Sequence, residues 1–589
     1  MGSSQQKNKP GARRANKTNQ EQFSKSFKPS TSAGLGNPSP RRRKLPAWSA
    51  YVLLSVGTIA CLAPFSGKAF HVDDTLFIWA AKQITKQPLN PYGFELIWDM
   101  TRVPMSEVTQ NPPLASYYAA LVGELAGWSE RALHLAFLIP ALVVVLGTYR
   151  LAQRFTESPL LAALATLLTP GFLVSATSVM CDTTMLAIWM LAALLWVEGE
   201  EDRKSLYLVG SGLLIGACAL TKYFGIGLIP LLLVYSLARR RRLGTWIFSL
   251  LIPVVMLVIY ELWTADLYGQ GLLTRAAEFA DSQRIVAQVP YLGKVLVGAS
   301  FAGGCALTAV LFAFLLWSRK ELLSGAILAI CAGASILLGW VGLGMQVGHA
   351  AALAARQQHW LLIGTQLVLC IGGGISILAL AISDFWKHRD AKSLFLTLWI
   401  CGTFVFAGFL NWTVNARSVL PLIPATGILL ARRIGKLQWV AARKELQVIA
   451  VLAASGALSL WIAFADARLA NAARQAATVI CQNTRRESGT IWFEGHWGFQ
   501  YYMESCGAQP MDILHPVVHN QDLLVIPENN VQIFPIRPEM ADTVNSIELG
   551  MPYWATTAGS WVQGFILRCG DLCPLPSDQF DPNATQSFA

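Results

Sequence analysis

The feature that most constrains the fold of this chain is a succession of about thirteen apolar stretches, each near the length of a membrane-crossing helix. Of the 589 residues, 54% are hydrophobic and only 14% are charged, whereas soluble domains carry about 25% charged residues. A soluble fold could not cover so much apolar surface. The sequence therefore predicts an all-α polytopic membrane domain, with spans near 47–65, 131–149, 158–173, 180–197, 206–220, 223–238, 244–263, 295–316, 322–345, 360–383, 393–411, 417–431 and 446–464.

The net charge of +11 belongs almost entirely to residues 1–46. This segment holds 11 Lys and Arg residues and one acid, Glu21, among many Gln, Ser, Pro and Gly residues. Such a composition is typical of disorder, and a basic segment beside a first span is typical of a cytoplasmic tail near anionic lipid. We therefore expect membrane lipids as a partner and no nucleic acid.

The loop charges predict the orientation of the spans. With the N-terminus inside, the six short inner loops carry 18 basic residues, whereas the five short outer loops carry six. This asymmetry follows the positive-inside rule. An odd number of spans then places the chain after residue 465 outside. The sequence thus predicts a multi-pass protein of the bacterial cytoplasmic membrane.

Two predicted outer segments lie between or after the spans, one at about 66–130 and one at 466–589. Residues 47–465 would form the membrane domain, and 466–589 would form a small extracytoplasmic α/β domain because short apolar runs alternate there with turns. Four cysteines in the later segment permit two disulfides in an oxidising compartment. Free thiols remain an alternative, and the pairings considered are Cys481 with Cys506 and Cys569 with Cys573.

The strongest polar signal is a pair of adjacent acids, Asp73 and Asp74, just beyond the first span. An amphipathic helix follows them, so one acid could cap that helix. Capping does not need two acids, and catalysis is the alternative. Further along the same loop, Asn111, Pro112 and Pro113 precede an apolar run. Pro residues favour the first turn of a helix, so this loop is either a helix entry or part of a site.

Three further charged residues lie at the predicted outer ends of spans: Asp182, Lys222 and Arg417. Each alone could be an interfacial residue whose charged group reaches the headgroups. Together with the acid pair they come from four loops on one membrane face. A carboxylate there could accept a proton from a hydroxyl, and Lys and Arg could offset the charge of a departing phosphate.

The order of these motifs resembles the C-type (GT-C fold) glycosyltransferases that use polyprenyl-phosphate sugar donors. The bacterial branch related to protein O-mannosyltransferases and to the lipid A aminoarabinose transferase is the most similar. The resemblance covers about 47–465 and rests on five features in order: Asp73-Asp74, the Asn111-Pro112-Pro113 loop, Asp182, Thr221-Lys222 and Arg417 with its Leu-Pro-rich helix.

The resemblance implies transfer of a sugar, with inversion, from the lipid donor to a hydroxyl of a lipid, glycan or protein at the outer face. Asp73 would be the general base, and Asp182 a supporting acid. Lys222 and Arg417 would hold the donor phosphate. Two positions depart from the family pattern, since Asp74 stands where relatives commonly have Glu, and Arg417 precedes Ser418 where they often have Tyr. No cofactor or metal site is predicted, although some relatives use a divalent metal and one bound through Asp73 and Asp182 remains an alternative.

Other functions are compatible with parts of this pattern. A transporter or lipid flippase would place ionisable groups near the midplane within repeated halves, and the sequence shows neither. A polysaccharide ligase or polymerase would share the lipid-phosphate chemistry, but it usually keeps its key arginines in a large late loop. A binding protein would leave the acid pair unexplained. The sequence favours a glycosyltransferase.

Overall fold

The computed structural model describes residues 47–341, 360–436, 441–484, 489–519, 521–527, 530, 542, 544–550 and 585–588. The predicted basic tail at 1–46 and the cysteines Cys569 and Cys573 lie outside these residues. The described chain is mostly helical, as the sequence predicts. Its helices are α1 Ala47–Leu62, α2 Asp74–Lys86, α3 Met105–Val108, α4 Leu114–Ala126, α5 Glu130–Ala152, α6 Pro159–Leu167, α7 Pro170–Ala176, α8 Cys181–Asp202, α9 Ser205–Thr221, α10 Leu228–Arg240, α11 Ile247–Tyr268, α12 Leu272–Ala287, α13 Tyr291–Cys305, α14 Leu307–Leu316, α15 Arg319–Leu337, α16 Trp360–His388, α17 Ala391–Val405, α18 Ala416–Val419, α19 Leu422–Gly435, α20 Ala441–Asn483 and α21 Trp497–Ser505.

The number of spans is lower than the thirteen expected. Within the described ranges, nine helical segments are long and apolar enough to cross a membrane, or eleven if each of two bent pairs counts as one span. The nine are Trp48–Phe65, Glu130–Ala152, Cys181–Asp202, Tyr223–Arg240, Ile247–Tyr268, Arg319–Leu337, Gly364–His388, Ala391–Leu410 and Glu445–Asn483. The predicted polytopic membrane fold is confirmed, but several expected spans are short or broken.

Two of the expected spans are broken in identifiable ways. The stretch predicted at 158–173 bends by 63° between α6 and α7, where Pro170 opens the second helix. The stretch predicted at 295–316 ends its first helix at Cys305, and α14 that follows is only 10 residues long. Pro170 lacks the amide that would continue the preceding helix, whereas the break after Cys305 contains no proline, and apolar length alone reveals neither break.

The α8 helix lies at the centre of the bundle. In the most apolar 18-residue stretch of α8, 78% is buried inside the protein, against 17% in the corresponding stretch of the first span, Trp48–Phe65. Helix α11 is a peripheral helix, because its large apolar side chains Phe248, Ile259 and Leu262 are 65%, 61% and 66% exposed. Large apolar side chains pointing away from the bundle are typical of lipid-facing helices. The first turn of α8 therefore lies deep in the protein, where it can carry a site.

The first loop after α1 is folded. Helix α2 packs against α4, and an antiparallel hairpin of β1 (Glu95–Trp98) and β2 (Thr101–Pro104) lies between them in the chain. The hairpin pairs Glu95 with Pro104 and Trp98 with Thr101. As predicted, a helix begins after the two prolines, with Pro113 as the N-cap residue of α4.

The C-terminal part begins with the long helix α20, which continues through the predicted domain boundary at residue 465. Beyond it, β3 (Ile491–Phe493) pairs in parallel with both β4 (Gln509–Pro510) and β5 (Leu523–Val525). Strands β6 (Ile547–Gly550) and β7 (Thr585–Phe588) form a separate antiparallel pair. The parallel sheet and α21 confirm a small α/β unit, and a disulfide joins Cys481 to Cys506.

Candidate active site

The acid pair lies in a tight turn between α1 and α2. Val72, the residue before Asp73, has a positive φ of 49°. This left-handed conformation is strained for a β-branched residue and tends to occur at functional sites. The turn directs the two neighbouring carboxylates to different surroundings, because Asp73 precedes the first turn of α2 and Asp74 begins it.

Asp73 forms an ion pair with Arg417. Nη1 of Arg417 donates to Oδ2 of Asp73 over 2.7 Å, and the Asp73 side chain retains 23% exposure. Arg417 lies in the short helix α18, whose entry is fixed by a reciprocal cap between Asn415 and Ser418. Ser418, which departs from the family pattern, thus has a local structural role. A partly exposed carboxylate beside a buried cation can contact both solvent and a ligand.

Asp182 forms a second ion pair, with Lys222. Nζ of Lys222 donates to Oδ1 of Asp182 over 2.5 Å. Asp182 is in the first turn of α8, where the helix dipole favours a negative charge. Lys222 follows the last residue of α9, and its side chain remains 23% exposed. Oδ2 of Asp182 is buried and has no hydrogen-bond partner among the described residues.

The two ion pairs belong to one electrostatic cluster. Arg417 interacts through space with both Asp73 and Asp182, and its Nη1 also meets Sδ of Met180 at 3.2 Å. Four separate segments supply the charges: the turn before α2, the start of α8, the end of α9 and α18. The structure therefore brings together the residues that the sequence only placed on one face.

Asp74 differs from the other acids because it is fully buried. Its Oδ2 accepts the backbone N–H of His71 and its Oδ1 accepts that of Val179, both over 2.9 Å. Burial raises the pKa of Asp74 to about 7, although these two amides and Lys68 lower it. A carboxylate engaged at both oxygens is poorly placed to reach a substrate. In this geometry Asp74 braces the turn through two backbone amides, and the catalytic role expected from the sequence stays a prediction.

The proline-containing loop borders the cluster. Oδ1 of Asn111 accepts from Sγ of Cys181 at 3.6 Å, and its backbone carbonyl accepts from the Tyr92 hydroxyl at 2.8 Å. Pro112 and Pro113 are buried beneath it. Asn111 thus contacts the first residue of α8, Cys181, which directly precedes Asp182. The prolines hold this loop and the entry of α4.

Sequence reasoning did not identify Lys68 and Asp466, which form a fully buried ion pair near Asp74. Asp466 lies in the apolar helix α20, and an acid inside a membrane-spanning helix is costly unless it is paired. Lys68 offers a similar signal, since it follows the first span directly. Only their distance of 398 residues along the chain concealed the pairing.

The fold is that of a polytopic membrane protein. Its candidate site is ionic and lies where several membrane-spanning helices end. Residues 110–263 match the family model of dolichyl-phosphate-mannose-protein mannosyltransferases. This match includes the Asn111 loop, Asp182 and Lys222. No curated protein matches the chain significantly by sequence.

Two solved structures are similar to much of this chain. The crystal structure of ArnT from Cupriavidus metallidurans bound to undecaprenyl phosphate is 14% identical, with 82% of this chain and 93% of that chain covered and a TM-score of 0.51. An oligosaccharyltransferase from Archaeoglobus fulgidus is 12% identical, with 79% and 63% covered and a TM-score of 0.43. The chain has the GT-C fold, and the predicted resemblance to C-type glycosyltransferases is confirmed.

Proposed function

We propose that this protein is a membrane glycosyltransferase that moves a sugar, with inversion, from a polyprenyl-phosphate donor to an acceptor hydroxyl at the outer membrane face. The observation that carries the proposal is the cluster of Asp73–Arg417 and Asp182–Lys222 ion pairs on a GT-C fold. It combines partly exposed base and cation groups in one place. The matched mannosyltransferase family and the lipid bound to ArnT support the same donor class.

In the proposed reaction, the Asp73 carboxylate accepts the proton of the acceptor hydroxyl. The acceptor oxygen forms a bond to the anomeric carbon while the bond from that carbon to the phosphate oxygen breaks. The electron pair of the broken bond stays on polyprenyl phosphate, which gains one negative charge. The proton on Asp73 balances that charge and later passes to solvent, because the side chain is partly exposed.

Arg417 and Lys222 would offset the charge that develops on the phosphate. Arg offers several fixed donors, and Lys acts as a compact charge. Fixed cations in a site that largely excludes water stabilise such charge more effectively than water does. In the structure, Asp73 and Asp182 neutralise these cations. A donor phosphate would share the cations and leave Asp73 available to the acceptor.

Asp182 and Asn111 would orient the acceptor or the base. The buried Oδ2 of Asp182 has hydrogen-bonding capacity that no described side chain uses. Asn111 contacts Cys181, the residue before Asp182. An acceptor hydroxyl bound there would lie close to the ion-pair cluster. These residues are therefore proposed as orienting groups, while Asp73 carries the proton.

The opposite end of α8 supports the proposed orientation, with the N-terminus cytoplasmic. There Glu200 pairs with Arg240, and Arg150 pairs with Glu198. Basic residues are typical of the cytoplasmic side. The ion-pair cluster at the start of α8 would then face the outside of a bacterial inner membrane.

The test uses purified protein with a panel of polyprenyl-phosphate sugars, and it follows release of polyprenyl phosphate. We expect wild-type protein to release it from one donor class. Asp73→Asn should reduce the rate by a factor of about 100 or more, within the range of general-base catalysis. Asp281→Asn is the matched control, because Asp281 is 67% exposed and pairs only with Arg284 among the contacts described.

Turnover that survives in Asp73→Asn would contradict the proposed base. Donor binding without turnover, unaffected by Arg417→Ala and Lys222→Ala, would instead favour a transporter. Equal losses in Asp73→Asn and Asp281→Asn would indicate a general defect of folding. Addition of lipid, glycan and peptide acceptors to the active combination would then identify the acceptor class.

A further inference from the structure

The five residues before the Asp73 turn, 67–71, are held by a part of the chain some 400 positions away. They connect the end of α1 to Asp73 and belong to no regular element after the turn at Gly67. Most of their polar contacts come from α20 and α21. The strained Val72 follows this segment directly. Whatever holds residues 67–71 therefore sets the position of the proposed base.

The first contact is the buried ion pair of Lys68 with Asp466 of α20. Both side chains are at most 1% exposed. Nζ of Lys68 also lies 3.4 Å from the hydroxyls of Thr177 and Ser178. Breaking a buried pair leaves an uncompensated charge, so this contact is a rigid anchor. It joins the segment before Asp73 to the segment before Asp182.

The backbone of the same segment is held at three positions, 67, 69 and 70. Arg474 donates to the carbonyl of Gly67 at 3.3 Å, and the N–H of Ala69 donates to Oδ1 of Asn471 at 2.9 Å. The N–H of Phe70 donates to the Tyr502 hydroxyl at 2.8 Å. Buried backbone groups need such partners, and here the partners are side chains rather than a regular element.

Tyr502 has a second contact that fixes its hydroxyl. It donates to Oε1 of Glu130 at 2.8 Å, and Glu130 also pairs with Arg474 at 2.8 Å. One hydroxyl therefore accepts from Phe70 and donates to the first turn of α5. Arg474 completes the network, because it binds both Glu130 and the carbonyl of Gly67.

The backbone of α21 also approaches residue 70 closely. A Cβ added to Gly498 would lie 2.2 Å from the Phe70 carbonyl oxygen. Only glycine allows this approach. The start of α21 therefore lies directly against the segment, and the disulfide between Cys481 and Cys506 joins α20 to the end of α21.

We propose that Asp466, Asn471 and Tyr502 act as a positioning clamp that sets the geometry of Asp73 for transfer. The inference rests on the proposed function and deepens it. It assigns to the C-terminal segment a role in the reaction centre itself, through residues that touch no substrate. Asp74 extends the clamp, since it binds the amide of Val179 in the segment that leads to Asp182.

The test compares Tyr502→Phe and Asn471→Ala with a matched control, Tyr501→Phe. Tyr501 is adjacent in α21, but its hydroxyl meets Lys82 at 3.3 Å and not the segment. Two quantities are measured: hydrogen exchange of peptides covering 66–75, and donor kinetics split into kcat and KM. Exchange reports on the clamp without any need for activity.

We expect exchange of 66–75 to accelerate by about five- to tenfold in Tyr502→Phe and Asn471→Ala, as for the loss of one hydrogen bond. The kcat should fall by about tenfold, within the roughly hundredfold cost of a misplaced catalytic group, while the donor KM changes little. Tyr501→Phe should resemble wild type in both measurements.

Unchanged exchange in Tyr502→Phe and Asn471→Ala would overturn the clamp. Faster exchange with an unchanged kcat would overturn its positioning role. A donor KM that rises while kcat is constant would assign these residues to donor binding, and would also overturn it. If wild-type protein shows no transfer with any donor but exchange responds as expected, the mechanical coupling is supported and the proposed function fails.

Discussion

At the residue scale, each charged group of the site is defined by its partner. Asp73 and Asp182 are both acids at helix starts, yet one pairs with a buried Arg and the other with a partly exposed Lys. Their neighbour Asp74 has two backbone amides instead. Adjacent positions in the sequence thus have different chemistry, because the turn at Val72 separates their surroundings.

The first prediction concerns Arg417. Replacement by Ala should lower kcat by about 100-fold, since a fixed donor to developing charge is worth that much in other enzymes. Arg417→Lys should recover part of the rate, because the charge remains but the fork of donors is lost. Initial rates of polyprenyl-phosphate release measure both.

Arg284→Ala is the control for this series. Arg284 donates to the carbonyls of Phe409 and Leu410 and lies outside the ion-pair cluster. Its rate should stay close to wild type. An equal loss in both arginine variants would show that the effect is not specific to the site.

The second prediction concerns pH and Asp74. Burial raises the pKa of Asp74 to about 7, above the ordinary value near 4. The folded state then binds the proton more tightly, so this group's contribution to stability falls as pH rises from about 4 to 7. His71 opposes this trend up to its ordinary pKa of about 6.5, because burial lowers its pKa to about 4.

Asp74→Asn removes the contribution to stability that falls as pH rises. It keeps the contribution of His71, which rises with pH. The apparent melting temperature of the variant should therefore rise more steeply between pH 4 and 6.5 than that of wild type. Thermal unfolding in detergent at several pH values measures the difference. Parallel curves for the two proteins would contradict the raised pKa.

At the element scale, the site depends on helix breaks as much as on helices. Lys222 is presented where α9 ends, and its carbonyl accepts the N–H of Gly225 at 2.8 Å in the turn that follows. Arg417 lies in a four-residue helix between two longer ones. Such breaks let side chains reach inward at the ends of spans, where an unbroken helix would carry them past the site.

The third prediction tests the break after α9. A Cβ on Gly225 would lie 2.5 Å from backbone atoms of Cys218 and Ala219. Gly225→Ala should destabilise the protein by about 1–3 kcal/mol, as overpacking does, and raise the donor KM by displacing Lys222. Thermal unfolding and donor titration measure the two effects.

Gly402→Ala is the matched control, because Gly402 lies inside α17 and a Cβ there would meet no atom within 4 Å. Alanine in a helix interior should be neutral or stabilise by about 0.5–1 kcal/mol. A similar loss in both variants would argue against a specific collision at Gly225.

At the scale of the whole molecule, direct hydrogen bonds join the C-terminal part to the membrane bundle. Tyr502 binds both Phe70 and Glu130, and the N–H of Ile513 donates to the carbonyl of Met100 in the hairpin at 2.9 Å. The predicted boundary at residue 465 lies within α20, and these contacts join the parts of the chain on its two sides.

The fourth prediction follows from the disulfide that closes a 25-residue separation between α20 and α21. The double variant Cys481→Ser/Cys506→Ser should lose about 2–4 kcal/mol of stability in this segment, and its turnover should fall through the loosened clamp. Limited proteolysis and donor kinetics measure these effects. Cys331→Ser is the control, since Cys331 is exposed and free. Wild-type protein treated with a reductant should behave like the double variant, whereas untreated Cys331→Ser should behave like untreated wild type.

The class of the molecule could be predicted from the sequence because the signals for it are local. Apolar length identifies a membrane-spanning helix without knowledge of its neighbours, and Pro112 and Pro113 predict a helix entry. The common face of Asp73, Asp182, Lys222 and Arg417 likewise follows from counting spans between them. The expected count of thirteen exceeds the nine to eleven spans of the described residues, because local breaks end some helices early.

Tertiary structure alone decided which charges meet. Arg417 lies 344 positions from Asp73, and Asp466 lies 398 positions from Lys68, so no local pattern could pair them. Burial of Asp74 also depends on Val179, which belongs to a different loop. A carboxylate's role follows from its partners and exposure, and these arise only when distant helices pack together.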